Sequence, residues 1–320
     1  MSRCYFLKTE NFVQLDAVLG LTQMLIKDEY TVKVKEFDGP EGEGGCYYIE
    51  GVAARGILVY HEDDSIVIEI QALCNYADYT IAEVLLDILG NIFRQEIIDD
   101  DGKVIVADKY FTKEKIQELR EADALAALSD LKELEEDNVQ IQGIVRKVYF
   151  GERLTGELLK YEDNPKRLLS LFDCIIDGVQ YKLPDYQLPE EFLIRREGSS
   201  DKRDIRKVRK MRKGTPYILQ DYDYLFVIDD EQDKVFAIDF YDLNDMAPDI
   251  YEINQEFMLT DDFTIVFPKL EGEDWQKFID LVKERPDHQV LMSMEVVPQD
   301  ESNFHQSWAP NAQAKKPCMI

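Results

Sequence analysis

Hydrophobic positions in the first half of the chain recur with two different periods. Isoleucine occupies every second position within residues 65–71, which predicts a strand, and residues 56–61 predict its partner across an acidic turn. Over residues 78–93 the apolar positions recur every three or four residues and predict a core helix. Residues 112–137 are rich in Ala, Leu, Glu and Lys and predict a long helix.

The second half shows the same mixture of periods. Residues 139–150 begin with a strand pattern, and a helical region over 151–176 is interrupted at Asn164 and Pro165. A hairpin is predicted around an acidic turn at residues 229–233. Near the C-terminus the strand FTIVFP leads into a helix that Pro286 ends. Strands and helices in this mixture predict an α+β fold of antiparallel hairpins packed with helices.

A chain of 320 residues is long enough for two domains. We predict an N-terminal domain over 1–137 and a C-terminal domain over 138–297, with the boundary near Asn138. Residues 298–320 are polar and without periodicity, which predicts a disordered tail. The glycine-rich segment 39–45 is predicted to be a loop.

The charge balance limits the classes of partner. Asp and Glu number 65 against 37 Lys and Arg, and the formal net charge is −28. Long-range repulsion therefore disfavours general binding to nucleic acid or to anionic membranes, and it favours basic partners.

One segment reverses this balance. Residues 195–213 contain ten basic and three acidic side chains, so the segment carries +7 and the other 301 residues carry −35. Ser199 or Ser200 can cap a helix there, and Gly214 stands where such a helix would end. We therefore predict a basic helix near 200–213, with a narrow apolar stripe.

Three interpretations of this helix stay open. It can lie on the chain's own acidic body, it can bind phosphate or an acidic partner, or it can bind nucleic acid. Arg forks pair well with phosphate oxygens, whereas single-strand readers use aromatic stacking, which the segment lacks. The candidate binding residues are Arg203, Arg206, Lys207, Arg209, Lys210, Arg212 and Lys213.

Motifs for catalysis, a metal site or a cofactor are not readable in the sequence. His61 stands beside an acidic turn, Cys46 lies in the glycine-rich segment without a family signature, and the acidic runs lack the spacing of a calcium loop. The five cysteines show no paired spacing, and the N-terminus lacks the features of a signal peptide. We therefore expect free thiols, a cytoplasmic protein, and no cofactor. Carboxylates contributed by distant strands could still form a hydrolase site.

The run ARGILVYHEDDSIVIEIQALCNYADYTIAEVLL, together with GEDWQKFIDLV, resembles acidic cytosolic bacterial proteins of immunity-protein character. The acidic body and the lack of a readable catalytic motif predict a non-enzymatic protein whose negative surface engages a basic partner protein, as an immunity-type protein would. Tyr222, Tyr224 and Trp275 are candidate apolar anchors for it. The alternative is a regulator that binds anions or nucleic acid through residues 195–213.

Overall fold

The structure is a computed structural model, and the chain divides between Lys182 and Leu183 into two compact units. Unit 1 holds the residues up to Lys182, and unit 2 runs from Leu183 to His305. The predicted boundary near Asn138 thus falls inside unit 1. The structure describes residues 2–9, 14–39, 42–133, 139–181, 186–196, 198, 201, 204–220, 222–230, 233–285 and 294–297.

Unit 1 contains a seven-stranded antiparallel sheet with the order β2-β3-β4-β5-β1-β6-β7. The predicted hairpin is confirmed as β4 and β5. Alternation along β1 places Tyr5 and Leu7 on the inner face, within the main core, and Cys4 and Phe6 on the outer face. The strands are β1 (Ser2–Lys8), β2 (Val32–Gly39), β3 (Gly42–Ile49), β4 (Ile57–Glu62), β5 (Ser65–Gln71), β6 (Ile97–Asp99) and β7 (Val104–Ile105).

Helices cover the inner face of this sheet. The predicted core helix is confirmed as α2, whose Tyr79, Leu85 and Leu89 are fully buried against the strands. Its N-cap, Asn75, accepts from two backbone N–H groups at the start of the helix. Helices on this face include α1 (Leu15–Leu25), α2 (Tyr76–Phe93) and α3 (Ala107–Tyr110), and Ile116 and Leu119 of the following helix join the same core.

A second core cluster in unit 1 explains why the predicted domain boundary was wrong. Helix α4, the predicted long helix, packs beside α6, so the residues that follow it share its core. Pro165 begins α6, as expected for a residue that lacks a backbone N–H. The elements of this cluster are α4 (Lys113–Glu133), β8 (Val139–Gln142), β9 (Lys147–Phe150), α5 (Glu152–Leu159) and α6 (Pro165–Tyr181).

The glycine-rich segment is mostly strand, not loop. Strand β3 begins at Gly42 and runs through Gly44 and Gly45. A Cβ at Gly44 would lie 2.5 Å from Cζ of Phe37, the residue opposite it on β2. Glycine is therefore used here so that the Phe37 ring can lie over the neighbouring strand.

Unit 2 contains a five-stranded sheet, β14-β13-β11-β10-β17, and a three-stranded sheet, β12-β16-β15. The pairing of β11 with β13 is parallel, and the other pairs in both sheets are antiparallel. The strands are β10 (Glu190–Arg196), β11 (Arg206–Arg212), β12 (Tyr217–Leu219), β13 (Tyr224–Asp229), β14 (Lys234–Asp239), β15 (Met258–Leu259), β16 (Ile265–Phe267) and β17 (Met294–Val297).

The core of unit 2 lies between these sheets and three helices. Met211, Leu225 and Val227 from the large sheet join Trp275 and Phe278 in one buried cluster. The helices are α7 (Phe240–Asp245), α8 (Ala247–Ile253) and α9 (Gly272–Lys283). The predicted hairpin is confirmed as β13 and β14, and the α+β fold is confirmed across both units.

Within the described ranges, no helix is both long enough and apolar enough to cross a membrane. The predicted tail at 298–320 and the predicted helix end at Pro286 lie outside the described residues.

Candidate functional site: the basic strand of unit 2

The basic segment forms a strand, so the predicted helix near 200–213 is wrong. Strand β11 lies between β10 and β13, the third of the five strands in its sheet. Val208 and Met211 are both fully buried, although their spacing of three places them on opposite faces of a strand. A strand in the middle of a sheet can bury residues on both faces, which a surface helix with one narrow stripe cannot do. Arg203 lies outside the described residues.

Two cations of this strand pair with acids on neighbouring elements at the surface. The Nζ of Lys210 lies 3.4 Å from Oε2 of Glu190, directly opposite on β10, and 5.4 Å from the ring centroid of Phe192. The Nη1 of Arg212 donates to both carboxylate oxygens of Asp230, at 2.8 and 3.0 Å. These contacts place a carboxylate beside each of the two cations.

Two more arginines pair closer to the core. The Nη2 of Arg209 lies 2.5 Å from Oε2 of Glu191, and the Arg209 side chain is only 14% exposed. Arg195 on β10 donates from Nε to Oε1 of Glu295 on β17, at 2.7 Å. The acids therefore come from strands that lie next to the cations in the sheet, not from nearby positions in the sequence.

The other candidate residues that the structure describes are also engaged within unit 2. Arg206 donates from Nη1 to the backbone carbonyl of Ile205 at 3.1 Å, and the backbone N–H of Lys207 donates to Oδ2 of Asp223 at 2.7 Å. Lys213 lies close enough to Glu271 to lower the pKa of that carboxyl, although Lys269 has the larger effect. The structure therefore brings the described candidate residues together on one strand and its following turn, but with acids among them.

A cleft of about 570 Å³ lies where this strand ends. Gly214 (φ +78°) forms the turn after β11, and its N–H donates to the carbonyl of Leu270 at 3.0 Å. Carboxylates outnumber cations in the cleft wall, so it does not favour an anion. The lining residues are Lys213, Gly214, Asp229, Asp230, Glu271, Gly272 and Trp275.

The predicted apolar anchors belong largely to the core. Trp275 is only 3% exposed and packs against Phe278, with ring centroids 5.7 Å apart. Tyr222 packs edge-on against Phe240 at 5.9 Å. Tyr224 is half-buried on β13. Trp275 is therefore not available as a surface anchor.

A set of buried charges in unit 1 was missed from the sequence. Asp78 is fully buried, and its Oδ2 accepts backbone N–H groups of Ala54, Arg55 and Asn75 at 3.2, 3.2 and 2.9 Å. Its Oδ1 accepts the N–H of Gly56 at 2.9 Å. Burial raises the pKa of Asp78, and these hydrogen bonds oppose that rise. The Asn75–Asp78 spacing is the sequence signal of the capping box that the structure contains.

Two buried residues of α4 continue this set. Asp123 accepts two hydrogen bonds from the Arg3 guanidinium, at 2.8 and 2.5 Å. Arg120 donates from Nε to the carbonyl of Cys74 at 2.9 Å and from Nη2 to Asp173 at 2.5 Å. Perturbed buried charges can mark an active site, but ion-pair networks produce the same signal. Here the charged groups are engaged with one another and with backbone, which is typical of a structural clamp.

The described cysteines are free thiols. Cys46 is fully buried, and burial raises the pKa of its thiol to about 12, with a smaller contribution from Asp78. A thiol held in its neutral form is a poor nucleophile. Among the described residues, no group of three or more His, Cys, Asp or Glu side chains is arranged to hold a metal ion.

Comparison with known proteins identifies the family. A family model described as a domain of unknown function, DUF4299, matches residues 2–183. The chain belongs to the DUF4299 family. The matched residues coincide with unit 1, so the DUF4299 domain contains the seven-stranded sheet and the buried charge clamp, while the basic strand lies beyond it. No curated protein and no solved structure matches the chain.

Proposed function

We propose that this DUF4299 protein is a non-enzymatic binding protein of the cytoplasm whose negative surface engages a basic partner protein. The observation that carries the proposal is the internal pairing of the basic strand. Arg195, Arg209, Lys210 and Arg212 each contact a carboxylate of their own unit. Four of the ten basic side chains of segment 195–213 are thus paired with carboxylates, while the chain as a whole keeps its net charge of −28.

Electrostatics then favours one class of partner. A protein with a large net negative charge attracts a basic protein over long distances and raises its rate of association. An immunity-type protein that neutralises a basic toxin is one example of this arrangement, and the sequence resemblance supports it. The free thiols of the described residues support a reducing compartment.

The alternative is a regulator that binds anions or nucleic acid through the basic segment. Phosphate would have to compete with carboxylates that already lie within ion-pair distance of these cations. We therefore favour the protein partner.

The test is capture of partners by the immobilised full chain, identification by mass spectrometry, and titration with the purified partner at increasing salt. Wild type is compared with Lys210→Gln/Arg212→Gln, which changes the two more exposed cations of the strand. We expect an identified basic protein that binds both chains equally and dissociates as salt rises. A nucleic acid or acidic protein that binds wild type and is lost from the variant would contradict the proposal and support the alternative.

A further inference from the structure

The outer face of the seven-stranded sheet carries a row of apolar side chains that runs across the strands. The register places Tyr60 opposite Val67, Val67 opposite Phe6, Phe6 opposite Ile98, and Ile98 opposite Val104. Val67 is buried in the centre of this row, Tyr60, Phe6 and Ile98 are partly exposed, and Val104 is 55% exposed. This set of five residues is the outer row.

Among the described residues of unit 1, those around Ile144 cover one end of this face. Ile144 packs on Cys46 and Leu58 of β3 and β4, and Phe37, Tyr48 and Tyr60 surround that small cluster. The described helices of unit 1 that contact the sheet pack into its inner core. The part of the outer row from Phe6 to Val104 therefore offers apolar surface beside the covered end.

Carboxylates flank the outer row on both sides. Glu69 follows Val67 by two residues on the same face of β5, and Asp100 accepts the backbone N–H of Cys4 at 2.8 Å. Exposed Glu62 lies on the other side, at the end of β4. Lys8, at the end of β1, adds one basic side chain to this part of the face.

Two groups on the face respond to these carboxylates. Burial, with smaller contributions from Glu69, Asp100 and Glu62, raises the pKa of the Cys4 thiol to about 12. Burial also raises the pKa of Tyr60, again with Glu69 and Glu62 contributing, and the Tyr60 hydroxyl donates to Oε2 of Glu69 at 3.1 Å. The local potential is therefore negative.

We propose that the outer row is the docking surface for a basic amphipathic helix of a partner protein, an inference that rests on the proposed function and gives it a location. The five strands from β4 to β7 span about 19 Å at a strand spacing of about 4.8 Å. About 13 helical residues cover that length, and the helical pitch of about 5.4 Å brings one apolar position to each strand. Lys and Arg on the flanks of such a helix would meet Glu69 and Asp100 on one side and Glu62 on the other.

Charge also decides against a second copy of this chain as the occupant. Two copies would each bring a net charge of −28 and carboxylates in the same positions. A bound basic helix would cover the exposed apolar side chains and would also pair its cations with the neighbouring carboxylates.

The probe is a fluorescent peptide of about 13 residues, with Leu at helical a and d spacing and Lys elsewhere, titrated with the full chain and followed by anisotropy. We expect Val104→Asn to weaken binding about tenfold, because it removes the most exposed apolar side chain of the outer row. The control is Met24→Asn on α1, which changes an apolar side chain that is 79% exposed and lies away from the outer face of the sheet. It should leave the affinity unchanged.

A second pair of variants separates the local effect of charge from the global one. Glu62→Gln/Glu69→Gln and Asp249→Asn/Glu252→Gln remove the same net charge, the latter from exposed positions on α8. We expect only the first pair to weaken binding strongly. Equal weakening by both pairs, or no binding by wild type, would overturn the docking surface and leave the proposed function to the capture experiment. Equal binding of a peptide with Glu in place of Lys would overturn the proposed function itself.

Discussion

Arg209 and Glu191 lie directly opposite each other on β11 and β10, and their charged groups approach to 2.5 Å. The Arg209 side chain is 14% exposed and that of Glu191 is 32% exposed, so this is the least solvated ion pair of the basic strand. A cation placed this deep depends on its partner, because removal of the acid leaves a poorly solvated charge.

Glu191→Ala should therefore destabilise the chain by about 2 kcal/mol, an estimate reduced for partial exposure. The matched control is Glu190→Ala, one residue away, whose side chain is 70% exposed and 3.4 Å from Lys210. Glu190→Ala should lower the free energy of unfolding by less than about 1 kcal/mol. Urea unfolding of both variants measures the difference. Equal midpoints would mean that the Arg209 pair contributes no more than a surface contact.

Asp78→Ala should be more damaging than any change on the basic strand. It leaves four backbone N–H groups without their carboxylate, in a site that is fully buried. We expect a loss of at least about 3 kcal/mol in the free energy of unfolding. Asp87→Ala, at an exposed position of the same helix, should stay within about 0.5 kcal/mol of wild type. A small effect at Asp78 would show that water or rearrangement satisfies these donors.

Gly56→Ala tests the backbone of the same clamp. Gly56 has φ +76°, and a Cβ there would lie 2.6 Å from Sγ of Cys46 and 3.0 Å from the carbonyl oxygen of Tyr47. We expect a destabilisation of about 2 to 4 kcal/mol, the sum of the left-handed conformation and overpacking. Gly51→Ala has the same conformational cost, at φ +79°, but a Cβ at that position would have no neighbouring atom within 4 Å. Thermal unfolding of the two variants should separate them, and similar melting temperatures would remove the steric part of the explanation.

Asp177 provides a pH-dependent test. Burial raises its pKa above 3.8, with Asp173 and Asp78 contributing and Asn75 opposing through a hydrogen bond. The folded chain thus holds this proton more tightly than the unfolded chain, and the contribution of Asp177 to stability falls as pH rises from below 3.8 through the folded pKa. Asp177→Asn removes the ionisation, so its stability relative to wild type should increase across that window and then level off.

Urea midpoints measured at a series of pH values check this expectation. Asp163→Asn, at an exposed position before α6, is the control for a general charge effect. Curves for wild type and Asp177→Asn that stay parallel at every pH would contradict it.

Local periodicity predicted the elements whose partners are close in sequence. The hairpin of β4 and β5, the helix α2 and the hairpin of β13 and β14 follow from spacing alone, since each is formed by residues that are close together in the sequence. The sequence also predicted that a strand, β8, follows the helix α4. The sequence did not show which core these elements join, because the contact between α4 and α6 links residues that are distant in the sequence. The predicted domain boundary was misplaced for that reason.

The basic strand could not be predicted from local signals. In RKVRKMR the two apolar residues are three apart, which favours a helix, and Gly214 occupies a position typical of a helix end. What stabilises the strand is its place between β10 and β13 and the carboxylates that these neighbours bring. Gly44 of β3 misled for a similar reason, because the Phe37 ring that requires it lies on the neighbouring strand.

The pairing of β10 with β17 has a consequence for biosynthesis. Arg195 and its partner Glu295 are 100 residues apart. At synthesis rates of about 5 to 20 residues per second, β17 is made roughly 5 to 20 s after β10, and one edge of β10 has no partner strand until then. The backbone N–H and C=O groups of that edge are unpaired throughout this interval, so the sheet of unit 2 is completed late, well after the ribosome has finished the DUF4299 domain.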